Sequence, residues 1–163
     1  MVISFISAPL GDHAAEVARW DILVQCGDPS NEEVGATWNA ATSEHGWFGS
    51  PDNGAVDPSG RLWVSTDGNP TTGAADGLWA LDTQGPSRAT GYAFLRAPVG
   101  AEVCGPRFVP DGKTLFVAIQ HPGDGHQATY ENPTTRWPDF NSAMPPRPSV
   151  VAVRRGDGGP VGG

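Results

Sequence analysis

The sequence predicts an all-β fold built from β-propeller blades, and three observations lead to this prediction. Glycine (22) and proline (16) together approach a quarter of the 163 residues, which leaves little room for long helices. Six Trp and six Phe supply the large apolar side chains that disordered chains lack. A hairpin pattern also occurs twice, at a spacing that is typical of propeller blades.

The repeated hairpin consists of a strand, a tight turn and a second strand. The first copy is Val56-Asp-Pro-Ser-Gly-Arg-Leu-Trp-Val64, and the second is Phe108-Val-Pro-Asp-Gly-Lys-Thr-Leu-Phe-Val117, with Thr114 as one extra residue. The copies begin at positions 56 and 108, so the period is 52 residues, the length of a blade with generous loops. The Pro-Ser-Gly and Pro-Asp-Gly segments are interpreted as tight turns and not as binding or catalytic sites.

Further strand patterns fill out the predicted blades. Gly77–Asp82 and Gly91–Leu95 follow the first hairpin and give that blade four strands. After the second hairpin, a polar loop leads to the strand Ser149–Arg154, and Glu16–Gln25 is expected to supply two outer strands of a preceding blade. The predicted single domain, 1–163, is divided into blade remnants (1–48), a blade (49–100), a second blade (101–155) and a mobile Gly-rich tail (156–163).

Two to three blades make an incomplete propeller. Closure takes four to eight blades and is what protects the sheet edges. An open stack would also expose the apolar faces that normally lie between blades. We therefore expect this chain to be a piece of a larger protein that supplies the missing N-terminal blades.

Composition excludes several functional classes. The formal net charge is −8, with no basic cluster beyond Arg154-Arg155, so no nucleic-acid-binding surface is expected. The negative charge suits divalent cations, and it is also ordinary for a soluble protein. No segment reaches the ~18 apolar residues that a membrane span needs, and Met1–Ala8 lacks the basic start of a signal peptide. Cys26 and Cys104 allow one disulfide and have no zinc or redox spacing.

Two carboxylates occupy equivalent places in successive blades. Asp52 and Glu102 each come directly before the first strand of a blade, and such positions converge at the mouth of a propeller channel. Converging carboxylates repel one another unless a cation lies between them, and calcium takes oxygen ligands of this kind. Glu102 has no turn to form, which favours a functional role. Asp52 fits a metal site and an Asx turn equally well.

Three other polar residues have weaker patterns. His121 follows the second strand of the second hairpin. Its functional interpretation is a phosphate contact, a metal ligand or a general acid, and its structural interpretation is a loop histidine held in place by Pro122. Arg107 is either a contact for an anionic substrate or half of a cross-strand ion pair. Asp67 ends the first hairpin and is interpreted as a turn cap. The aromatic residues Trp20, Trp63, Trp79 and Phe116 are predicted to form the core between blades.

An ordered series of segments resembles the PhoX family of calcium-dependent alkaline phosphatases. The specific segments are Gly100-Ala-Glu-Val-Cys-Gly105 and Ile119-Gln-His-Pro-Gly123, whereas the hairpin Asp57-Pro-Ser-Gly-Arg-Leu-Trp63 is shared with many propellers. The similarity extends over nearly the whole chain, and other matching segments are Trp20–Val24, Phe48–Asp52, Trp137–Asp139, Arg147–Val151 and Asp157–Pro160.

The resemblance implies a six-bladed propeller that binds calcium and iron at the channel mouth and hydrolyses phosphomonoesters in the periplasm or outside the cell. It makes Glu102 the first metal-ligand candidate and Asp52 the second, and it assigns no catalytic residue; His121 and Arg107 are candidate substrate contacts from their positions in the predicted strands. This chain departs from the family pattern at Cys104, where Thr is common, and at Asn53, where Gly is common. Neither cysteine matches the family's iron ligand, so a complete active site is not expected within this chain.

The function predicted from the sequence is therefore a metal-dependent phosphatase, of which this chain holds a part. One alternative is a calcium-dependent propeller of the lactonase or hydrolase type, which also has a Pro-Asp turn before an inner strand. The other is a propeller module that binds a partner without catalysis.

Overall fold

The computed structural model of the chain is an all-β structure of three antiparallel sheets. It describes residues 1–8, 11, 12, 14–68, 73 and 75–163. Within these residues there are nine strands: β1 (Val2–Ser7), β2 (Arg19–Gln25), β3 (Pro51–Val56), β4 (Leu62–Thr66), β5 (Gly77–Leu81), β6 (Gly91–Arg96), β7 (Glu102–Phe108), β8 (Leu115–Gln120) and β9 (Ser149–Val153). The described part of the chain has no helix that could cross a bilayer.

Each sheet is a meander of consecutive strands, as expected for propeller blades. The first sheet is β1-β2, the second is β3-β4-β5-β6 and the third is β7-β8-β9. The inner strands β3 and β7 lie against each other, so the second and third sheets are neighbours. In the part of the chain that the structure describes, the sheets do not close into a ring, and the prediction of an all-β, incomplete propeller is confirmed.

The two predicted hairpins form the first two strands of the second and third sheets. Val56 pairs with Leu62 across the first turn, and Phe108 pairs with Leu115 across the second. Both inner strands contain a register shift, at 51–54 in β3 and 104–107 in β7. These irregularities bend the inner strands near the end that carries Asp52 and Glu102.

The N-terminal region differs from its prediction in how the two strands are assembled. Residues 19–25 form one strand rather than two, and its partner is β1, built from the first residues of the chain. Ile3 and Phe5 of β1 alternate with more exposed residues and pack against the core, which explains why this short apolar run is a strand.

Two apolar clusters hold the three sheets together. One lies between the first and second sheets and is centred on Phe48 and Trp79; the other lies between the second and third and is centred on Trp63 and Leu115. Trp63 and Trp79 are fully buried, as predicted. Trp20 and Phe116 are exposed, so their prediction as core is wrong. Each lies on the outward face of a terminal sheet, where no further sheet covers it. Cys26 and Cys104 are both free thiols, so they form no disulfide.

The C-terminal segment 156–163, which we call the strap, is anchored rather than mobile. Val161 is buried in the cluster between the second and third sheets, and its N–H donates to the Gly112 carbonyl at 2.9 Å. Arg61 Nη1 donates to the Gly162 carbonyl at 2.9 Å. Gly162 lies so close to the Trp63 ring that an added Cβ would be 2.5 Å from it. Glycine composition suggested mobility, but here glycine permits close packing.

Asp57 organises the turn between β3 and β4. Its Oδ1 accepts hydrogen bonds from Ser59 N and Oγ and from Arg61 N, at 2.6–3.1 Å, while Oδ2 accepts one from the buried Trp63 Nε1 at 2.9 Å. Burial by itself raises the pKa of this carboxyl, but the hydrogen bonds from Ser59, Trp63 and Arg61 outweigh burial and hold the pKa below its usual value.

Replacing Asp57 by Asn is expected to lower the free energy of unfolding by about 1–3 kcal/mol, because an amide cannot accept all four hydrogen bonds. A lowered folded-state pKa stabilises the fold above the unfolded-state pKa of about 3.9, and this contribution is lost as pH falls through the folded-state value. Urea unfolding of both proteins should therefore show a difference that is constant near pH 7 and shrinks below about pH 4. Asp111→Asn, at an exposed turn aspartate, is the control; an Asp57→Asn loss that does not change with pH would contradict the argument.

Candidate functional site

Glu102 is a buried carboxylate at the start of β7. It is 5% exposed and pairs across the ladder with Gln120, the last residue of β8. The loop before it passes very close to the loop after β8, since a Cβ on Gly100 would lie 2.0 Å from the Asp124 carbonyl oxygen. Gly100 also has a φ of 73°, so glycine is required there for both reasons. This close approach brings Glu102 and His121 to the same edge of the third sheet.

A chain of polar contacts fixes the orientation of Glu102. Gln120 Nε2 donates to Glu102 Oε1, and Gln120 Oε1 accepts a weak hydrogen bond from the Cys104 thiol at 3.9 Å. Because an ionised carboxylate can only accept, the Gln120 amide nitrogen faces Glu102 and the amide oxygen is left to accept from the thiol. Gln120 is therefore a positioning residue for Glu102, and the sequence analysis did not single it out.

His121 faces the same carboxylate from the loop after β8. Its Nδ1 lies 2.9 Å from the Gly100 carbonyl, which can only accept, so Nδ1 carries a proton. Its Nε2 lies 3.7 Å from Glu102 Oε1. His121 has a φ of 37°, a conformation that few non-glycine residues adopt. The structure thus brings together two of the four predicted site residues, Glu102 and His121.

Asp67 is the site residue that sequence reasoning missed. It follows β4 and was interpreted as a turn cap, but it approaches Glu102 from the neighbouring sheet. Burial is the main cause that raises the pKa of Glu102, and the Asp67 carboxylate raises it further, against the lowering effects of the Cys104 thiol and His121. Burial and then Glu102 raise the pKa of the Cys104 thiol to about 12. Acidic groups from two neighbouring sheets, Glu102 and Asp67, therefore interact at this edge of the inner strands, beside the Cys104 thiol.

Asp52 lies in β3, on the sheet next to Glu102. Its side chain is exposed and lies at the second residue of this inner strand. Its carboxylate is one of the charges that raise the pKa of the Cys104 thiol, after burial and Glu102. Its neighbour Asn53 accepts a hydrogen bond from Gly105 N at 2.9 Å and so joins β3 to β7. Asp52 and Glu102 begin equivalent strands of adjacent sheets, as their spacing predicted.

Arg107 is not near the other predicted residues. It lies on β7 opposite Phe116, toward the turn at the far end of the hairpin, and its side chain is exposed. Its alternative role in a cross-strand ion pair is not observed within the described residues. A role for Arg107 in substrate binding stays a prediction.

The comparisons with known proteins decide the family. Residues 2–123, about three quarters of the chain, match the family described as alkaline phosphatase PhoX. This chain belongs to the PhoX family. The resemblance seen in the sequence is thereby confirmed.

A solved structure of a PhoX protein has the same architecture. It is Pseudomonas fluorescens PhoX in complex with vanadate, a transition state analogue, and it is 33% identical to this chain with a TM-score of 0.78. The match covers 98% of this chain and 27% of the Pseudomonas chain, so the present chain spans about a quarter of that PhoX protein. No curated protein matches the chain.

The described residues do not form a compact metal centre by themselves. Among them, no group of three or more His, Cys, Asp and Glu side chains lies close enough to hold a metal ion. PhoX is a family of metalloenzymes.

Proposed function

We propose that this chain is part of a metal-dependent phosphomonoesterase and contributes Glu102, Asp52 and His121 to its active site. One observation carries the proposal: a buried carboxylate, oriented by Gln120, lies beside Asp67 and His121 at the mouth-side end of the inner strands in a chain of the PhoX family. A buried carboxylate next to another carboxylate is unfavourable without a compensating positive charge.

The donor atoms suit calcium better than iron. Glu102, Asp67 and Asp52 offer carboxylate oxygens, which hard cations prefer, and the amide of Asn53 is already used by Gly105. The two thiols do not offer a shared iron site, because Cys26 is buried in the cluster between the first and second sheets whereas Cys104 lies on β7 of the third. Glu102 and Asp52 are thus the proposed calcium ligands, and any iron would depend on residues outside this chain.

The chain's own residues would then have distinct tasks. A bound cation would neutralise phosphate charge and help to orient the phosphoryl group. Glu102 would hold the cation, with Gln120 keeping its carboxylate in one orientation. His121, held through Nδ1 by Gly100, would present Nε2 to a phosphate oxygen, where a protonated imidazole donates a charge-assisted hydrogen bond. Asp67 would raise the pKa of Glu102 through the repulsion between the two carboxylates.

The remaining parts of the site and the location of the protein are also proposals. The missing blades would supply further ligands and close the propeller around the inner strands. Resemblance to the PhoX family supports a site of action in the periplasm or outside the cell. Family membership favours phosphomonoesters over lactones as substrates, and catalysis over binding alone.

Removal of calcium is expected to abolish the phosphatase activity. The test uses the protein as its gene encodes it, with p-nitrophenyl phosphate as substrate and a lactone in parallel. We expect calcium-dependent release of phosphate that falls at least about 100-fold in excess chelator and returns on adding calcium. Lactone hydrolysis without phosphate release would favour the lactonase alternative, and full activity in chelator would contradict the metal proposal.

A further inference from the structure

A long loop joins β8 to β9 at the edge of the third sheet that carries the candidate site. It comprises residues 121–148, all of which the structure describes, and it contains no strand or helix. Loops longer than about 12–15 residues without secondary structure are uncommon in compact domains and are usually functional. The loop begins at His121, which faces Glu102, and ends before Ser149, which pairs with Ile119. Both of its ends therefore lie beside the candidate site.

The arms of this β8–β9 loop converge on Gly123, close to its start. Gly123 N donates to the Val99 carbonyl at 3.0 Å, and the Gly123 carbonyl accepts from Thr134 N at 3.0 Å. A Cβ on Gly123 would lie 2.7 Å from the Thr135 carbonyl oxygen and 2.8 Å from the Pro146 ring. We call this junction the neck of the loop. Its close packing fixes the base of the loop next to the candidate site.

Two arginine side chains hold the loop beyond the neck in shape. Arg136 donates from Nη1 to the Met144 carbonyl at 3.0 Å and from Nη2 to the Glu131 carbonyl at 2.7 Å. Arg147 forms a bidentate ion pair with Asp139, with both hydrogen bonds at 2.9 Å. Charge-assisted hydrogen bonds of this kind are strong and directional, so they define where the tips of the loop lie.

Two aromatic side chains project from this braced loop into solvent. Tyr130 is 73% exposed and Phe140 is 72% exposed. Tyr130 is four residues from Thr134 in the neck, which limits the separation of their Cα atoms to ~14 Å. Phe140 N donates to the Arg136 carbonyl at 2.8 Å, so the chain folds back and keeps Phe140 close to the neck. Both rings are therefore within reach of a molecule that extends from the candidate site.

The backbone of Phe140 is in a conformation that costs energy. Its φ is 51°, which is unfavourable for a bulky side chain. Backbone strain of this kind is common at ligand-binding positions, where the surrounding structure imposes it. An exposed ring adds little to the packing of the fold, so stability does not account for phenylalanine at this position. Contact with a ligand does, because aromatic side chains stack well on other flat rings.

We propose that Tyr130 and Phe140 bind the alcohol part of the phosphomonoester and select a planar aromatic group, such as a nucleobase or a phenyl ring. The inference rests on the proposed function, because the phosphate is taken to bind beside Glu102 and His121. The braced loop would hold the aromatic ring of the substrate while the phosphate lies in the site. Phosphomonoesters without a flat ring are expected to be poorer substrates.

The test compares two pairs of phosphomonoesters with matched leaving groups. Adenosine 5′-monophosphate carries the base that ribose 5-phosphate lacks, and benzyl phosphate carries the flat ring that cyclohexylmethyl phosphate lacks. We expect kcat/KM to be about tenfold higher for the aromatic member of each pair. A preference in both pairs supports a site for any flat ring, and a preference in the first pair alone supports a site for nucleobases.

Substitutions in the loop show whether the two rings cause the preference. Tyr130→Leu and Phe140→Leu should each lower the ratio of kcat/KM within a pair about three- to fivefold. Trp20→Leu, at an exposed tryptophan of the first sheet, should leave the ratio unchanged. Phe140→Asn should raise the thermal midpoint while lowering the ratio, because asparagine tolerates a positive φ better than phenylalanine. A fall in the midpoint of Phe140→Asn would contradict the argument from strain.

Direct binding separates this inference from the proposed function. Adenosine and ribose are titrated into the protein and its Tyr130→Leu variant by NMR, without any reaction. Phosphatase activity with no preference for the aromatic substrates, or a preference that both leucine variants leave intact, would overturn the aromatic site and leave the phosphatase proposal standing. Adenosine binding that weakens in Tyr130→Leu, in a protein without phosphatase activity, would do the reverse.

Discussion

Replacing Glu102 by Gln is expected to lower phosphomonoesterase activity at least about 100-fold while leaving the fold intact. The amide keeps the size of the side chain and an oxygen that accepts from Gln120, but it loses the charge that would hold a cation. The measurement is kcat/KM for p-nitrophenyl phosphate at a calcium concentration that just saturates the parent protein, with calcium affinity measured by calorimetry. Weakened calcium binding together with lost activity is the expected pair of results.

The same substitution should not destabilise the cation-free protein. Glu102 is nearly fully buried beside Asp67, so its charge is desolvated and unfavourable in the fold. We expect the thermal midpoint of the variant, measured by circular dichroism in chelator, to equal or exceed that of the parent. Glu32→Gln, at an exposed loop carboxylate, controls for the loss of one negative charge. Unchanged activity in Glu102→Gln would remove Glu102 from the site.

Replacing Trp63 by Ala is expected to reduce the free energy of unfolding by about 3–5 kcal/mol. Trp63 is fully buried between the second and third sheets, and it makes edge contacts with Phe94 and Phe108 at centroid distances of 4.8 and 5.2 Å. Its Nε1 donates to Asp57, and the strap packs on its ring at Gly162. The substitution therefore creates a cavity, leaves a carboxylate oxygen without its donor and loosens the strap.

Urea unfolding provides the measurement, and Trp20→Ala provides the matched control. Trp20 is 63% exposed on the outward face of the first sheet, so its removal from this chain should change stability by less than about 0.5 kcal/mol. Similar losses for the two variants would mean that the sheets are not held together by the cluster around Trp63. A loss well below 3 kcal/mol for Trp63→Ala would mean that the strap collapses into the cavity.

The fold was predictable because its signals are local. The turns at Pro58 and Pro110 and the strand patterns on either side depend on neighbouring residues, and the same local pattern recurs after 52 residues. The wrong core predictions, Trp20 and Phe116, concern which face of a strand packs against another sheet. Alternation indicates that Phe116 and Leu115 point to opposite sides of β8, but it does not say which side meets another sheet. The strap was missed because one valine among glycines gives no periodic signal.

The site was predictable only in part, for a similar reason. Glu102 could be found because its surroundings offer no turn for it to form and because Asp52 lies at the same point of the previous repeat. Asp67 ends a hairpin strand in a Thr-Asp-Gly sequence, which is ordinary turn chemistry. Its approach to Glu102 depends on how two sheets pack. A useful signal would have been that β4 ends and β7 begins at the same edge of adjacent blades.

The contacts that join the second and third sheets act at two levels along their inner strands. Asn53 bonds to Gly105 close to the candidate ligands, and Val161 is inserted between the sheets beside the Gly112 turn, at the far end of the hairpins. The buried Val161 side chain at one end and the Asn53–Gly105 hydrogen bond near the other limit how far the two sheets can separate. The relative position of β3 and β7 is therefore fixed at both ends of the hairpins. The strap, although it lies at the end of the hairpins away from Glu102, thereby helps to hold the two sheets that carry Asp52 and Glu102 in one relative orientation.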